Sequence, residues 1–343
     1  MKKVAVVILN WNGAAMLQRF LPSVVRCSEG RDVEVCVADN GSTDLSCRVV
    51  ETEFPTVRLI RLSRNYGFAE GYNRAICQVE AEYVVLLNSD VEVTEGWRDP
   101  LMAYMETHPD AAACQPKLLS ERQRDTFEYA GAAGGFIDCY GYPFCRGRLF
   151  DGVEKDEGQY DAEMSVFWAS GAALFVRRRV YQEVGGLDAR FFAHMEEIDL
   201  CWRMRHRGYD IVCVPQSVVY HVGAATLKKE NPRKTYLNFR NNLLMLYKNL
   251  PSEELHRVLR VRACLDGLAA LVFLLKGETD NFRAVWQARR DFRQMRSEYV
   301  AARSDIQQHR LPGQTAGRSR FSLLWQCKVL RKKRFMDLPV VMK

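Results

Sequence analysis

Residues 4–40 read VAVVILNWNGAAMLQRFLPSVVRCSEGRDVEVCVADN, and this stretch decides the fold class. It begins and ends with short, nearly continuous apolar runs, which are typical of strands buried on both faces of a parallel sheet. The stretch therefore predicts a strand, a helix and a second strand parallel to the first. The helix is indicated by apolar side chains at helical spacing, at Met16, Leu17, Phe20, Leu21, Val24 and Val25.

A second unit of the same kind follows, with TVRLIRL (residues 56–62) as strand, GFAEGYNRAICQVE (67–80) as helix and YVVLLNSD (83–90) as strand. Repeated units of this kind indicate a doubly wound α/β sheet, in which ligands bind beyond the carboxyl ends of the strands. Each polar group at such an end is also typical of a turn, but four together predict one binding crevice. The four groups are Asn10 with Asn12, residues 39–44, Arg64 with Asn65, and residues 88–90.

Charge is distributed unevenly along the chain. The 343 residues carry a net charge of +7, but residues 228–343 hold 25 Lys and Arg against 10 Asp and Glu, which leaves residues 1–227 at −8. We therefore expect an acidic catalytic domain over residues 1–227 and a helical, basic extension over residues 228–343. A basic extension suits the phosphates of anionic lipid or of nucleic acid, and a solvated helical face is the alternative.

The sequence favours a protein of the cytoplasm. Its 11 cysteines form no CxxC pair and are odd in number, which is typical of reduced thiols. The first apolar run, Val4 to Leu9, is shorter than the core of a signal peptide. The most apolar later segment, ACLDGLAALVFLLKG (263–277), contains Asp266 and falls short of the roughly 18 residues that span a bilayer. It is predicted to be a core helix or to lie in the membrane interface.

Two common nucleotide-binding signatures and one zinc-binding signature are missing from the sequence. There is no GxGxxG after the first strand, no GxxxxGK[ST] and no HExxH. A dinucleotide dehydrogenase, a P-loop NTPase and a zincin protease are therefore disfavoured. Asn88 and Asp90 instead stand two residues apart at a strand end, where hard oxygen ligands could hold Mg²⁺ or Mn²⁺ together with substrate phosphates.

Six motifs occur in the order and approximate spacing of a known family: VAVVILNWNG, VADNGSTD, RNYGFAEGYN, LLNSDVEV, ASGAALFVRR and GGLDARFFAHMEEIDLCWRMRHRGY. The chain resembles the inverting nucleotide-sugar glycosyltransferases with the GT-A fold, often called family 2. Within that family it is most similar to bacterial rhamnosyltransferase-like enzymes that build cell-surface polysaccharide. The resemblance covers roughly residues 1–250.

The resemblance implies a divalent-cation cofactor, Mn²⁺ or Mg²⁺, and a nucleotide-diphosphate sugar as donor. Residues 88–90, with Ser89 at the centre, occupy the family's DxD position, and Asp90 is the implied principal metal ligand. Asn88 replaces the first acid and brings no charge, so weaker metal affinity is expected. His221 falls where some relatives supply a histidine to the metal, although a structural histidine is the alternative. The implied nucleotide and phosphate contacts are Asn10, Asn12, Asp39, Arg64, Asn65 and Asn73.

The acidic stretch AHMEEIDLCWR (193–203) would supply the catalytic base. Glu197 matches the second acid of the family's ED pair and is the implied base, with Glu196 as the second candidate. Partial desolvation would raise the pKa of such a carboxylate and make it a stronger base. In a helix, Asp199 would orient the site or pair with Arg203, its i+4 neighbour. The alternative is that these acids only stabilise a helix N-terminus.

The acceptor side is less specified. Gly171 and Ala172 are small enough to let the backbone approach the donor sugar. Trp168 would stack on a ring or serve as a core aromatic. The stretch 127–165 is predicted to be a long irregular loop, and its part 131–160, with Tyr142 and Arg146, would face a saccharide acceptor that we expect to be lipid-linked. The enzyme would then work at the inner face of the cytoplasmic membrane, held by its basic extension on an anionic surface.

Two other functions are compatible with parts of the sequence. A nucleotidyltransferase would use a similar sheet and metal, but the chain lacks a Gly-rich first loop bearing Lys or Arg. A nucleic-acid-binding module would use RKKRF (331–335), but the separate acidic half disfavours nucleic acid as a partner.

Overall fold

The computed structural model describes residues 1–223, 231–311 and 317–339. The predicted boundary between residues 227 and 228 lies outside the described residues. The strands are β1 Lys2–Asn10, β2 Val33–Asp39, β3 Arg58–Arg61, β4 Ala81–Asn88, β5 Val91–Val93, β6 Ala111–Ser120, β7 Gly135–Ile137, β8 Pro143–Cys145, β9 Arg148–Leu149, β10 Gly152–Val153, β11 Met164–Ser165, β12 Ala173–Arg177 and β13 Asp210–His221. The helices are α1 Ala14–Cys27, α2 Ser46–Glu53, α3 Gly67–Ile76, α4 Arg98–Thr107, α5 Arg178–Glu183, α6 Glu196–His206, α7 Pro232–Asn249, α8 Ser252–Leu275, α9 Thr279–Met295 and α10 Val300–Gln308.

The central sheet is mixed, with the strand order β11-β13-β6-β12-β4-β1-β2-β3 and β5 paired to β13. Strands β1, β2, β3 and β4 are parallel, whereas β12 runs antiparallel to both β4 and β6. Helices cover the sheet, and residues of both its faces are fully buried, as the continuous apolar runs indicate. The α/β prediction with a GT-A-type mixed sheet is confirmed.

The parallel strands end at one edge of the sheet. Asn10 is in register with Asp39 of β2, and Leu9 is in register with Asn88 of β4. The polar groups that follow these strands are therefore neighbours, as the sequence predicted. β13 brings His221 to the same edge, because His221 pairs with Val91, the residue after Asp90.

The stretch 127–165 is more ordered than its composition indicates. It contains a four-stranded antiparallel sheet in the order β10-β9-β8-β7, and Phe136 and Phe144 pair across its first hairpin. Both rings are buried in the main hydrophobic core. The expectation of an irregular loop is wrong here. Aromatic and small residues alternate, so short strands form and bury their aromatic side against the main core.

The first helix after the predicted boundary packs into the same hydrophobic core as the central sheet. Leu243, Leu244, Met245 and Leu246 of α7 are fully buried in the same cluster as the sheet residues. Helices α8 and α9 form a hairpin that packs on α7. In the described part of the chain, no helix has the length and apolarity to cross a membrane.

A buried charge network ties α6 to α7. The Asp199 carboxylate is completely buried and accepts hydrogen bonds from Arg203 Nε at 2.9 Å, Lys248 Nζ at 2.8 Å and Asn249 Nδ2 at 2.8 Å. The predicted pairing of Asp199 with Arg203 is confirmed. Lys248 also donates to Asp188 Oδ2 at 2.7 Å, so one ammonium group connects two carboxylates.

We expect Lys248→Met to lower the free energy of unfolding by about 3–5 kcal/mol, because the carboxylates of Asp188 and Asp199 lose the cation that they share. Urea denaturation followed by circular dichroism measures the change. Lys155→Met is the matched control, since Lys155 pairs with Asp125 on the exposed surface and should leave stability unchanged. Equal stability of the two variants would contradict a structural role for this network.

Candidate active site

The ends of β1 and β2 form a polar corner. Asn10 is buried, and its Nδ2 lies 3.4 Å from Asp39 Oδ1 and 3.3 Å from Ser42 Oγ. Asp39 Oδ2 accepts the Ser42 backbone N–H at 3.0 Å. A Cβ at Gly13 would come within 2.4 Å of Asn10 Oδ1, so a side chain there would disturb this corner.

Two helix N-termini meet beside this corner. Asn12 Oδ1 accepts the backbone N–H of Thr43 at 2.8 Å. Asp44 accepts the N–H of Ala14 at the start of α1 and the N–H of Ser46 at the start of α2, each at 3.0 Å. The Asp44 carboxylate thus caps both helices and fixes the two loops that border the corner.

The residues after β3 lie beside this polar corner, at the edge of the sheet where a ligand would bind. Asn65 Oδ1 accepts the N–H of Gly67 at 2.8 Å and so organises the start of α3. Arg64 is exposed, and its backbone lies within 2.5 Å of where a Cβ on Gly41 would be. Arg64 therefore borders the cleft at the loop after β2.

Asn73 does not reach the cleft. Its Nδ2 donates to Leu187 O at 2.8 Å, and its Oδ1 accepts from Leu187 N at 3.0 Å and Tyr181 Oη at 2.6 Å. All of its polar atoms hold the loop after α5. The predicted contact of Asn73 with the nucleotide is corrected to a structural role.

Asn88, Asp90 and His221 converge at the end of β4. His221 Nε2 lies 3.1 Å from Asp90 Oδ1 and 3.4 Å from Asn88 Nδ2, and its Nδ1 lies 3.4 Å from Glu128 Oε1. Burial alone would lower the pKa of His221, but Glu128 and Asp90 raise it to about 10. Glu128 is itself fixed, because its Oε2 accepts the Ala130 N–H at 2.6 Å.

The donor set of this cluster fits a hard divalent cation that also binds phosphates. In residues 1–223, 231–311 and 317–339, no group of three or more His, Cys, Asp or Glu side chains could hold a metal ion by itself. Mg²⁺ in such sites takes only one or two carboxylates and completes its shell with phosphate oxygens and water. His221 Nε2 and Asp90 Oδ1 lie 3.1 Å apart, so one ion could contact both, and Glu128 Oε1 lies 3.4 Å from the other ring nitrogen of His221, where outer carboxylates lie at metal-bound histidines.

The segment before α6 is strained and firmly held. Phe192, His194 and Met195 have φ values of 66°, 71° and 72°. Residues other than glycine rarely adopt this left-handed region of backbone conformation. Asn241 of α7 donates its side-chain amide to the carbonyls of Phe191 at 3.0 Å and of Ala193 and His194 at 2.8 Å. The strain is thus stabilised by one buried side chain, and it sets the direction in which α6 begins.

The same segment contacts α3. Phe192 O accepts the N–H of Phe68 at 2.7 Å, and the Phe192 ring lies where a Cβ of Gly67 would be. Gly67 also has a φ of 81°, so both the contact and the conformation require glycine. This contact joins the RNYGFAEGYN and FFAHMEE motifs.

Glu197 is connected to the cluster of Asn88, Asp90 and His221 through the contact between the end of β4 and the start of β12. The Asn88 N–H donates to Ala172 O at 3.0 Å, which fixes the start of β12 beside the end of β4. Gly171, the residue before Ala172, faces Glu197: a Cβ on Gly171 would lie 3.7 Å from the Glu197 Cβ. Ser89 Oγ would lie 3.9 Å from a Cβ on Gly13, so the polar corner at the ends of β1 and β2 lies next to the end of β4.

The two glutamates differ in exposure. Glu196 is buried, and burial raises its pKa well above the usual value. Glu197 is half-buried, and burial raises its pKa to about 7. Among the described residues, neither Glu196 Oε2 nor Glu197 Oε2 has a hydrogen-bond partner. Paired carboxyl groups with separated pKa values are typical of acid–base sites, and Glu197 is the one able to exchange protons near neutral pH.

The structure corrects two predicted acceptor contacts. Trp168 is buried, donates its indole N–H to Phe136 O at 2.9 Å and packs on Gly135. Arg146 is buried and donates to the carbonyls of Ala133, Tyr160 and Ala162. Both side chains support the small sheet, because its short strands leave carbonyl groups for buried donors to satisfy.

Tyr142 packs inward as well, under the Arg262 guanidinium with 4.3 Å between that group and the ring centroid. It is partly buried, and its ring takes part in the contact between the small sheet and α8. Acceptor binding by Tyr142 therefore has little geometric support.

Sequence reasoning missed Glu128 and Asn241. Glu128 lies in the irregular stretch where no periodicity marks it, and only the fold brings it to His221. Asn241 left a signal: it is a polar residue on the buried face of a helix that is otherwise rich in leucine. A buried amide needs partners, so its position pointed to exposed carbonyls on a neighbouring segment.

Comparison with known proteins connects this geometry to a family. A sequence model described as Glycosyl transferase family 2 matches residues 5–183. An N-acetylglucosaminyl-diphospho-decaprenol L-rhamnosyltransferase of Mycobacterium tuberculosis is 32% identical over 234 residues, which cover 63% of this chain and 75% of that protein.

Solved structures share the fold at low sequence identity. TarS residues 1–349 of S. aureus in complex with UDP-GlcNAc superposes with a TM-score of 0.57 at 16% identity, covering 90% of this chain and 89% of that chain. GalNAc-T7 with UDP, GalNAc and Mn²⁺ gives a TM-score of 0.59 at 15% identity, covering 90% of this chain and 58% of that one.

Proposed function

The chain belongs to glycosyl transferase family 2, and from that premise we propose that it is a metal-dependent, inverting enzyme acting in cell-surface polysaccharide synthesis. It would move a sugar from a nucleotide-diphosphate donor to a saccharide acceptor. The observation that carries this proposal is the position of Glu197. Its Cβ lies beside Gly171, and the next residue, Ala172, accepts the Asn88 N–H just before β12.

The donor would lie along the edge of the sheet. Asn10, Asn12 and Asp39 would contact the nucleoside, and Arg64 would reach the nucleotide from the opposite loop. Asn65 would act indirectly, by holding the start of α3. Gly171 and Ala172 would allow the sugar to lie against the backbone.

Asp90, His221 and Asn88 would hold a divalent cation, and solved relatives of the same fold contain Mn²⁺. When bound, the cation stabilises the negative charge that develops on the departing diphosphate. Glu128 would keep the His221 ring in the orientation that directs Nε2 toward Asp90. A ligand set with a single carboxylate would bind the cation weakly until the donor phosphates contribute.

Glu197 would accept the proton of the acceptor hydroxyl. As that oxygen forms its bond to the anomeric carbon, the bond from this carbon to the diphosphate oxygen breaks on the opposite side, and the electron pair leaves with the nucleoside diphosphate. The configuration is inverted in one displacement. Asp199 is a positioning residue here, because its oxygens are occupied by Arg203, Lys248 and Asn249.

The acceptor would be lipid-linked. The name of the M. tuberculosis relative gives N-acetylglucosaminyl-diphospho-decaprenol, a lipid-linked sugar, as the acceptor of that enzyme. We propose that residues 1–227 perform the chemistry and that residues 228–343 form an extension fixed to them through α7. With a lipid-linked acceptor, the enzyme would work at the inner face of the cytoplasmic membrane.

A panel of nucleotide sugars with Mn²⁺ tests the reaction class. We expect slow hydrolysis of one donor to a nucleoside diphosphate and a free sugar of inverted anomeric configuration. Chromatography detects the nucleoside diphosphate, and NMR detects the anomeric configuration. Chelation of the cation should abolish it. Release of inorganic diphosphate would instead indicate nucleotidyl transfer and contradict the proposal.

Glu197→Gln should lower kcat by roughly 10²–10⁴-fold with donor binding retained, because the amide cannot accept the proton. In the wild type, kcat/KM should fall as the pH drops below about 7, since the raised pKa leaves Glu197 protonated there. Steady-state kinetics and donor titration measure both effects. Glu196→Gln is the matched control, and an inactive Glu196→Gln beside an active Glu197→Gln would reverse the two roles.

Asp90→Ala should abolish Mn²⁺-dependent binding of the nucleoside diphosphate. Glu128→Leu should weaken Mn²⁺ binding by about 10–100-fold, because His221 loses the carboxylate that orients it. Calorimetric titration of Mn²⁺ in the presence of UDP or GDP measures both without turnover. Asp125→Asn, at an exposed acid near Glu128 in sequence, is the control. Unchanged Mn²⁺ affinity in Glu128→Leu would remove Glu128 from the site.

A further inference from the structure

The segment Arg318–Asp337, called here the C-terminal strap, is fixed at both ends to the rest of the protein. At its beginning, Arg318 pairs with Glu254 of α8 at 2.6 Å, and the Leu323 N–H donates to Asp138 Oδ2 at 2.8 Å. At its end, the Phe335 ring packs on Phe136 and Phe144 of the small sheet. The ends are therefore structural, and their anchors are buried.

The middle of the strap exposes large apolar side chains. Trp325, Val329 and Leu330 are 56%, 53% and 50% exposed. Trp325 and Val329 are the first and last residues of a single π-helical turn, and Leu330 follows it. The Leu330 N–H donates to Trp325 O at 3.0 Å, an i→i+5 bond that places Leu330 one turn after Trp325 and therefore on the same side. The strap thus holds an apolar surface toward solvent although hydrophobic anchors flank it.

Five cations lie close to this apolar surface in the sequence. Lys328, Arg331, Lys332, Lys333 and Arg334 lie within ten residues of Trp325, and the sequence contains no Asp or Glu from Ile306 to Met336. Lys328 lies 5.0 Å from the centre of the Phe150 ring. For the other four cations, the described residues contain no ion pair within 4.0 Å.

We propose that the C-terminal strap docks the enzyme on the surface of an anionic phospholipid bilayer, with Trp325, Val329 and Leu330 in the interface and the neighbouring cations on the phosphates. Interfacial segments combine these two features: apolar side chains enter the acyl boundary while Lys and Arg attract anionic headgroups. The proposal rests on the proposed function only for the reason to be at a membrane. Vesicle binding itself involves neither donor nor acceptor.

Charge and exposure favour lipid over other partners. A second copy of the chain would bring two unbalanced cation clusters face to face, which is unfavourable. A nucleic acid would use the cations but would leave Trp325, Val329 and Leu330 without an apolar environment. A second apolar surface, formed by Leu268, Leu271, Val272, Leu274 and Leu275 on α8, is also exposed, but the charges that follow it, Lys276, Glu278 and Asp280, sum to −1 and would not attract an anionic surface.

Flotation of the full chain with vesicles tests the proposal. The vesicles are phosphatidylcholine alone or mixed with an equal part of phosphatidylglycerol. We expect binding to the anionic vesicles and a fraction that stays bound at about 1 M salt, where the Debye length is about 3 Å and exposed charges are screened. Absence of binding to anionic vesicles at low salt would overturn the proposal.

Three double variants separate the contributions. Trp325→Gln with Leu330→Gln should lower the partition coefficient at least about tenfold and abolish the salt-resistant fraction. Lys332→Gln with Lys333→Gln should lower binding about tenfold or more at low salt only. Leu271→Gln with Leu275→Gln is the control and should bind like the wild type. All these side chains are at least partly exposed, and unchanged thermal unfolding would show that the fold is intact.

The remaining outcomes are decisive. Binding that follows Leu271 and Leu275 rather than the strap would assign the membrane contact to α8 and overturn the proposal. Binding fully released by salt, or competed equally by duplex DNA, would mean that the apolar side chains make no contact with lipid and would overturn it as well. Donor hydrolysis in solution should be unchanged in the Trp325 and Leu330 variant, so failure of membrane docking and failure of the proposed chemistry remain distinguishable.

Discussion

The buried carboxylate of Asp199 is the interaction on which the rest of the structure depends. It lies on the same helix as Glu197, two residues further on, and its oxygens bind Arg203, Lys248 and Asn249. Removing Lys248 would leave the carboxylates of Asp188 and Asp199 with one cation fewer in the core, so the packing of α6 depends on the complete network. The position of the proposed base is thereby set by a lysine and an asparagine about fifty residues away, in a helix beyond the predicted domain boundary.

The strained segment before α6 depends on the same helix. A run of residues with positive φ costs on the order of 1–3 kcal/mol for each unusual conformation. The Asn241 amide satisfies three carbonyls of this segment, and Phe192 O accepts from the first turn of α3. Helix α7 therefore contributes to the site in two ways, through Lys248 and Asn249, which bind Asp199 in the first turn of α6, and through Asn241, which holds the segment just before it. Basic composition alone gave no sign of this, because composition reports the exposed face of a helix and the site uses the buried one.

The sequence predicted those features that follow from local pattern. Apolar runs identified β1, β2 and β4, and the alternation with helices placed Asn10, Asp39 and Asn88 at one edge of the sheet, since parallel strands share the direction of their ends. Features that depend on tertiary pairing were missed. Asn73, Trp168 and Arg146 have the polarity of ligand contacts, but each satisfies backbone groups inside the protein. Glu128 was invisible because its importance depends on a histidine 93 positions away in sequence.

The replacement of the first DxD acid by Asn88 fits the charges around it. Asp90 and Glu128 already face His221 from two sides, and their negative charges raise its pKa. A third carboxylate at position 88 would add like charge at a point that must also receive two phosphates, and like charges at that distance oppose each other. Asn88 offers an oxygen without adding that charge. An ion at Asp90 would then be held largely by the donor's own phosphates, so cation and donor would bind together. When the nucleoside diphosphate leaves, the protein would bind the cation only weakly.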